Sequence, residues 1–236
     1  MNLGIMQPYF LPYLGYFALI NYVDEFILFD TPQFIRHGWI ERNRILKLNG
    51  EPFYFKVPLE KHSREIPIQD IRINNNIHWK KKILAQITHY KKHASYYNEV
   101  VELLEFIFDQ DYTSIVSLNH RALKVICSYL EITTPIFIWS QMNIEISPAT
   151  KPDEWALNIS KAKGANCYTN LPGGNLFFDK KKYSNASINL EFLEINSRAY
   201  KQFGNEFVFG LSIIDVLLFN SKANILNMLN DFTILK

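Results

Sequence analysis

The chain is poor in the residues that build covalent and metal-bound sites. It has 2 cysteines in 236 residues, Cys127 and Cys167. No C-x-x-C spacing joins them, so neither a disulfide framework nor a dithiol redox pair is expected, and each reads as a small core residue. The 6 histidines are His37, His62, His78, His89, His93 and His120. One pair, His89 and His93, shares a helical face, but Lys91 and Lys92 beside it mark a solvated surface rather than a zinc site. No metal and no cofactor is expected. There is no G-x-S-x-G elbow and no G-x-x-x-x-G-K-[ST] phosphate loop, which weakens a hydrolase reading and excludes a P-loop one.

Long hydrophobic runs are also missing. The longest, Gly15 to Leu28, is interrupted by Asn21, Asp24 and Glu25, and falls short of the roughly 18 residues a membrane span needs. Nothing at Met1 resembles a charged n-region followed by an apolar h-region, so a cytoplasmic protein without membrane association is expected. Charge of one sign is scarce as well: Lys+Arg 25 against Asp+Glu 23 leaves +2. That balance does not advertise a nucleic-acid partner.

Aromatic residues are abundant, at 15% of the chain, which suits either a core with polar handles or a cleft lined by rings. The opening stretch concentrates them. A short apolar strand, Leu3 to Met6, runs into Gln7-Pro8-Tyr9-Phe10-Leu11-Pro12-Tyr13, a loop either wrapped in a core or lining a site. An apolar helix over Gly15–Val23 and a strand over Phe26–Asp30 then complete a parallel βαβ unit, whose ligands gather at the carboxyl ends of the strands. The loops Gln7–Tyr13 and Asp30–Arg44 both leave such ends, so they are expected to lie near each other.

Arg44 to Leu59 reads as a hairpin turning at Asn49-Gly50, and Ile66–Ile73 alternates like a further strand. From Ile77 the period becomes helical, through a third helix ending at Leu130. Pro135–Trp139 is a buried strand, Asp153–Lys163 a helix closed by Gly164, and Cys167–Asn170 a brief strand. Ile188–Ile195 alternates as a strand, and Leu211–Asn220 and Lys222–Leu229 are helices. The expected architecture is one α/β domain over 1–236, with a helical subdomain over about 77–130.

The densest polar constellation is the stretch from Asp30 to Arg44. Guanidinium forks bind phosphate or carboxylate in bidentate fashion, and the Trp39 indole can stack on a base or sugar ring. Arg42, Arg44 and Trp39 are therefore candidates for a nucleotide-like anion site, with Asp30 and His37 as candidate acid-base groups. Tyr168, Gly173 and Gly174 are further candidates for substrate binding, since in Leu171-Pro172-Gly173-Gly174 the glycines let backbone N–H groups approach a phosphate or carbonyl oxygen. A plain turn between strand and helix explains those glycines equally well.

Three stretches together carry a resemblance. Met6-Gln7-Pro8-Tyr9-Phe10-Leu11-Pro12-Tyr13-Leu14-Gly15-Tyr16-Phe17 is the first. The second runs Phe29-Asp30, Gln33, Gly38-Trp39-Ile40 and Arg42-Asn43-Arg44-Ile45, and the third is Ser212-Ile213-Ile214-Asp215-Val216-Leu217. Over almost its whole length the chain resembles the WbqC-like family. The resemblance implies a bacterial protein encoded among genes for O-antigen and other surface polysaccharides, where amino-deoxy sugars are built as nucleotide conjugates. It adds Gln7, Tyr9, Tyr13, Tyr16, Gln33 and Asn43 as candidate substrate-binding residues.

A weaker likeness is to Rossmann-like nucleotidylyltransferases, whose first strand leads to an H-x-G-H signature. Here that stretch reads Tyr13-Leu14-Gly15-Tyr16, and a phenol with a pKa of about 10 does not replace an imidazole against a triphosphate. Adenylyl-transfer chemistry is not expected. The expected function is acyl or aminoacyl transfer to the amine of a thymidine- or uridine-diphosphate sugar, drawing on an acyl donor. The alternative is a non-catalytic nucleotide-sugar-binding or scaffold protein, and either form could be oligomeric.

Overall fold

The first strand, β1 (Asn2–Met6), is buried along its middle and takes parallel partners on both sides. That is the behaviour of a short, continuously apolar run in a sheet covered on both faces. The structure, a computed structural model, describes residues 1–196 and 198–236. Helix α1 (Leu14–Tyr22) carries the chain to β2 (Glu25–Leu28), parallel to β1 with Leu3 beside Glu25 and Met6 beside Leu28. The βαβ start read from the sequence is present, and the fold is α/β.

The chain then leaves the sheet. Strands β3 (Arg42–Leu46) and β4 (Pro52–Lys56) form a separate antiparallel hairpin. Its turn holds Gly50 at φ +83°, where a Cβ would lie 2.7 Å from the Cα of Gly204. Both the backbone angle and the close approach require glycine there.

Residues 66–73 do not form the expected strand. They make a 3₁₀ turn, Ile68–Asp70, flanked by isolated bridges Gln33–Pro67, Leu59–Ile73 and Arg72–Ser114. Pro67 has no N–H for a ladder, and the fully buried Ile68 and Ile71 follow a turn period rather than a strand period.

Helices α2 (Trp79–Gln86), α3 (Tyr97–Ile107) and α4 (Ile115–Tyr129) occupy the helical segment. The Ser114 hydroxyl caps α4 by accepting from the Val116 N–H at 3.1 Å. Strand β5 (Ile136–Ile138) returns to the sheet beside β2, and α5 (Glu154–Ala162), β6 (Cys167–Asn170), α6 (Lys180–Asn185) and β7 (Asn189–Ile195) follow. The chain closes with α7 (Ile213–Phe219), α8 (Lys222–Leu229) and β8 (Phe232–Leu235), the last antiparallel to β7.

The two faces of the sheet are packed separately. Leu3, Ile5, Ile27 and Tyr168 meet Leu157 and Ile159 of α5 and Tyr183 of α6. On the other face, Phe26 and Leu28 join α1, the hairpin, α2 to α4, α7 and α8 in one continuous apolar cluster. The helical segment thus shares its core with the sheet.

The strand order is β5-β2-β1-β6-β7-β8. From β1 the chain winds one way to β2 and β5, and later the opposite way to β6 and β7. The reversal falls between β1 and β6, and loops diverging from carboxyl ends at such a point leave a ligand-binding crevice.

Candidate functional site

The loop Gln7–Tyr13 has no regular structure of its own, so its buried carbonyls need partners from elsewhere. The Tyr16 hydroxyl donates to the Gln7 carbonyl at 2.8 Å and the Asn119 amide to that of Pro8 at 2.7 Å. Asn43 Nδ2 donates to Phe10 and Leu11 at 3.1 and 2.9 Å, the Ser212 hydroxyl also reaches Leu11, and the Ile213 N–H donates to Pro12. Pro8 and Pro12 carry no N–H, which removes two donors that this crowded loop would otherwise have to satisfy. The loop is wrapped in core, with Phe10 and Leu11 wholly buried.

The two loops that leave β1 and β2 are joined as expected. The Phe10 N–H donates to the Trp39 carbonyl at 2.8 Å, and the second N–H of Asn119 reaches Ile40 at 2.9 Å. Neither Asn119 nor its role was visible in the sequence, because its partners are backbone atoms far along the chain. Asn43 is a loop anchor with its amide directed at backbone.

Among the tyrosines, Tyr16 lies wholly in the core between Tyr9 and Phe26, at ring separations of 5.6 and 5.3 Å, and burial holds its phenol well above the usual range. Tyr9 is half-buried and raised by burial in the same direction. Tyr13 is half-buried too, its phenol pushed up to about 12 by burial and by Tyr9. Its ring covers Gly15, where a Cβ would come within 2.5 Å of it, and meets the edge of Phe209 at 6.0 Å. Tyr13 therefore borders the surface, beside a narrow cavity of about 30 Å³ that it lines with Arg198, Tyr200 and Phe207.

The outward face of the hairpin brings Trp39, Arg42 and Arg44 together. The Arg42 guanidinium lies 4.2 Å from the Tyr54 ring centre, Trp39 stands 6.4 Å from Tyr54, and Arg44 sits 5.8 Å from Trp39. Arg44 Nη2 donates to the Phe209 carbonyl at 3.3 Å, while its buried Nε finds no acceptor among the described residues. Among those residues, neither arginine pairs with a carboxylate. Cations without counter-charge beside exposed rings suit an anion that carries a flat group. Tyr54 and Phe209 were not read from the sequence; the alternation of β4 offered the signal for Tyr54.

The remaining candidates stand apart. Asp30 is 1% exposed, its carboxylate accepting from the Ser140 N–H at 3.0 Å and the Ser140 hydroxyl at 2.6 Å. His37 is exposed at φ 64°, its N–H donating to Glu41 at 3.1 Å and its carbonyl accepting from Arg42. No hydrogen bond links Asp30 to His37, so they are not an acid-base pair in this arrangement. Gln33 is exposed and donates to the Arg64 carbonyl at 2.6 Å. Gln7 is half-buried at the carboxyl end of β1.

Across the strand reversal, Tyr168 is buried against Tyr183 at a ring separation of 5.6 Å, and Asn170 donates to its hydroxyl. Gly173 has open space at its Cβ position, whereas a Cβ at Gly174 would come within 2.8 Å of the Phe178 ring. Gly173 alone of the two leaves room for a ligand.

Asp215, within the Ser212–Leu217 stretch, is a buried carboxylate that no local sequence signal marks as part of a site. Asp215 accepts from the hydroxyls of Tyr90 and Tyr200, each at 2.8 Å, and from Gln202 at 3.1 Å. Burial raises its pKa, while the three donors pull the other way. Through Tyr200 and Gln202 it fastens the segment that carries Phe207 and Phe209 to the core.

The uncharacterized protein Rv1507c of Mycobacterium tuberculosis is 30% identical over 225 residues, covering 94% of each chain. No solved structure matches. The profile of the WbqC-like protein family spans residues 7–226, which takes in the opening loop, the hairpin and the Asp215 network, and the chain belongs to that family.

Proposed function

We propose that the protein acts on a nucleotide-linked amino-deoxy sugar in bacterial O-antigen or other surface-polysaccharide biosynthesis in the cytoplasm, transferring an acyl or aminoacyl group to the sugar amine. The observation that carries the reading is the unneutralised pair Arg42 and Arg44 beside the Trp39 and Tyr54 rings. In it the guanidinium groups hold the diphosphate and a ring covers the base or sugar. His37, being exposed, accepts the amine proton; Asp30, enclosed and engaged by Ser140, positions that serine instead. General-base assistance of this kind contributes about 10²–10⁴-fold, so His37→Ala is expected to slow turnover by that order.

A second reading, a non-catalytic binding or scaffold protein, draws on the openness of the face. The cavity beside Tyr13 holds about 30 Å³, whereas small-molecule pockets span roughly 300–1,000 Å³. One experiment separates them. Thermal melts with thymidine and uridine diphosphate sugars test binding, and mass spectrometry of amino sugars incubated with acyl donors tests transfer. A melting shift with a mass gain fits the enzyme, a shift without one fits the scaffold, and no shift with any nucleotide sugar overturns both.

A further inference from the structure

We propose that the outward face of the β3–β4 hairpin is a diphosphate-binding subsite in which Lys56 acts across the strands with Arg42. The inference deepens the nucleotide-sugar reading and rests on it for the molecule to which the diphosphate belongs. Lys56 lies outside every loop considered above.

The register places it. Arg42 stands directly opposite Lys56, and Arg44 opposite Tyr54, so the four side chains leave the same face of the hairpin. The other face is the packed one, with Asn43, Ile45 and Phe55 buried. Like charges directly opposed on neighbouring strands repel. Among the described residues no Asp or Glu forms an ion pair with Arg42, Arg44 or Lys56. The fold keeps a repulsion that a bound anion would relieve.

The chemistry of the two cations points to a phosphoric anhydride. Arg42 lies over the Tyr54 ring, with Nε donating to the Gly38 carbonyl at 3.3 Å and Nη2 to that of His37. Those two bonds leave further N–H donors of its fork for the oxygens of one phosphoryl group. Lys56 is an exposed ammonium on a flexible stem, a point charge able to reach the second phosphoryl group. A single carboxylate would neutralise only one of the pair. Trp39, 37% exposed and 6.4 Å from Tyr54, adds a ring platform beside the anion.

The test is calorimetric titration and thermal melting of the full chain at low salt with four probes: inorganic pyrophosphate, a thymidine diphosphate sugar, farnesyl diphosphate and thymidine. Wild-type protein is expected to bind the three anhydrides and not thymidine. Lys56→Ala weakens anhydride binding by about tenfold, in line with the loss of one charge-assisted contact. Lys56→Glu abolishes it, yet melts above wild type without ligand because Arg42 then faces an opposite charge. Lys56→Gln answers the same question should the glutamate variant not fold. Unchanged pyrophosphate affinity in these variants, or no pyrophosphate binding by wild type, overturns the subsite. Thymidine diphosphate-sugar binding that ignores Lys56 overturns the subsite and leaves the nucleotide-sugar reading standing. Lys56-dependent binding of pyrophosphate and farnesyl diphosphate, with no binding of any nucleotide sugar, does the reverse.

Discussion

Asn119 donates to the Pro8 carbonyl at 2.7 Å from the middle of α4. Its other N–H holds Ile40, so one amide fixes the loops leaving β1 and β2 to the same helix. Asn119→Leu strips a partner from two carbonyls at a wholly buried position. Each unsatisfied buried group costs about 1–3 kcal/mol, so a loss of about 2–6 kcal/mol is expected. Urea denaturation measures it, and an unshifted midpoint would show that the loops are anchored elsewhere.

Asp215 gives a pH-dependent prediction. Burial raises its native pKa above the unfolded value, so the folded state favours the protonated carboxyl. The stabilising contribution of that proton is full below the unfolded pKa, about 3.9, and is lost as pH rises through the native pKa. The stability of wild type relative to Asp215→Asn is therefore expected to fall across that interval. Paired urea melts from pH 4 to 7 check the slope; a difference that grows with pH contradicts it.

The cysteines should be inert in the native protein. Burial pushes the Cys127 thiol up to about 12 and is the main cause that raises Cys167 to about 11. Only the thiolate alkylates readily. Iodoacetamide at pH 8 is expected to leave both unmodified until urea is added, when mass spectrometry should find two adducts. Native labelling of Cys127 would show that α4 opens.

Tyr13 and Tyr16 should respond differently to loss of the hydroxyl. Tyr16→Phe removes a bond to the Gln7 carbonyl and is expected to cost about 1–3 kcal/mol, with ligand affinity unchanged in the folded fraction. The Tyr13 hydroxyl bonds to none of the described residues, so Tyr13→Phe should alter stability by less than about 0.5 kcal/mol. In the substrate-binding role that the family resemblance implies for Tyr13, the same substitution lowers nucleotide-sugar affinity. Equal affinity in both variants would restrict Tyr13 to packing.

What was legible in the sequence is local. β6 over Cys167–Asn170 and α8 over Lys222–Leu229 begin and end where their apolar pattern and flanking residues placed them. The Asn49-Gly50 turn was readable because glycine alone suits its backbone angle. Helix α6, Lys-Lys-Lys-Tyr-Ser-Asn, buries only Tyr183 and so has no stripe to reveal it. Strand β8 exists because β7 offers it an edge, a fact of topology. The site divides in the same way: Trp39, Arg42 and Arg44 are near in sequence and were found together, whereas Asn119, Ser140 and Asp215 meet their partners only after folding.

The contact between Gly50 and Gly204 reaches beyond the hairpin turn. It sets backbone against backbone where the hairpin tip meets the segment bearing Phe207 and Phe209. A side chain at either position acts as a wedge, prising the Phe209 platform away from the Trp39 and Tyr54 platform without touching a ring or a charge. The width of the proposed binding face is thus governed from behind, by two residues that carry no side chain.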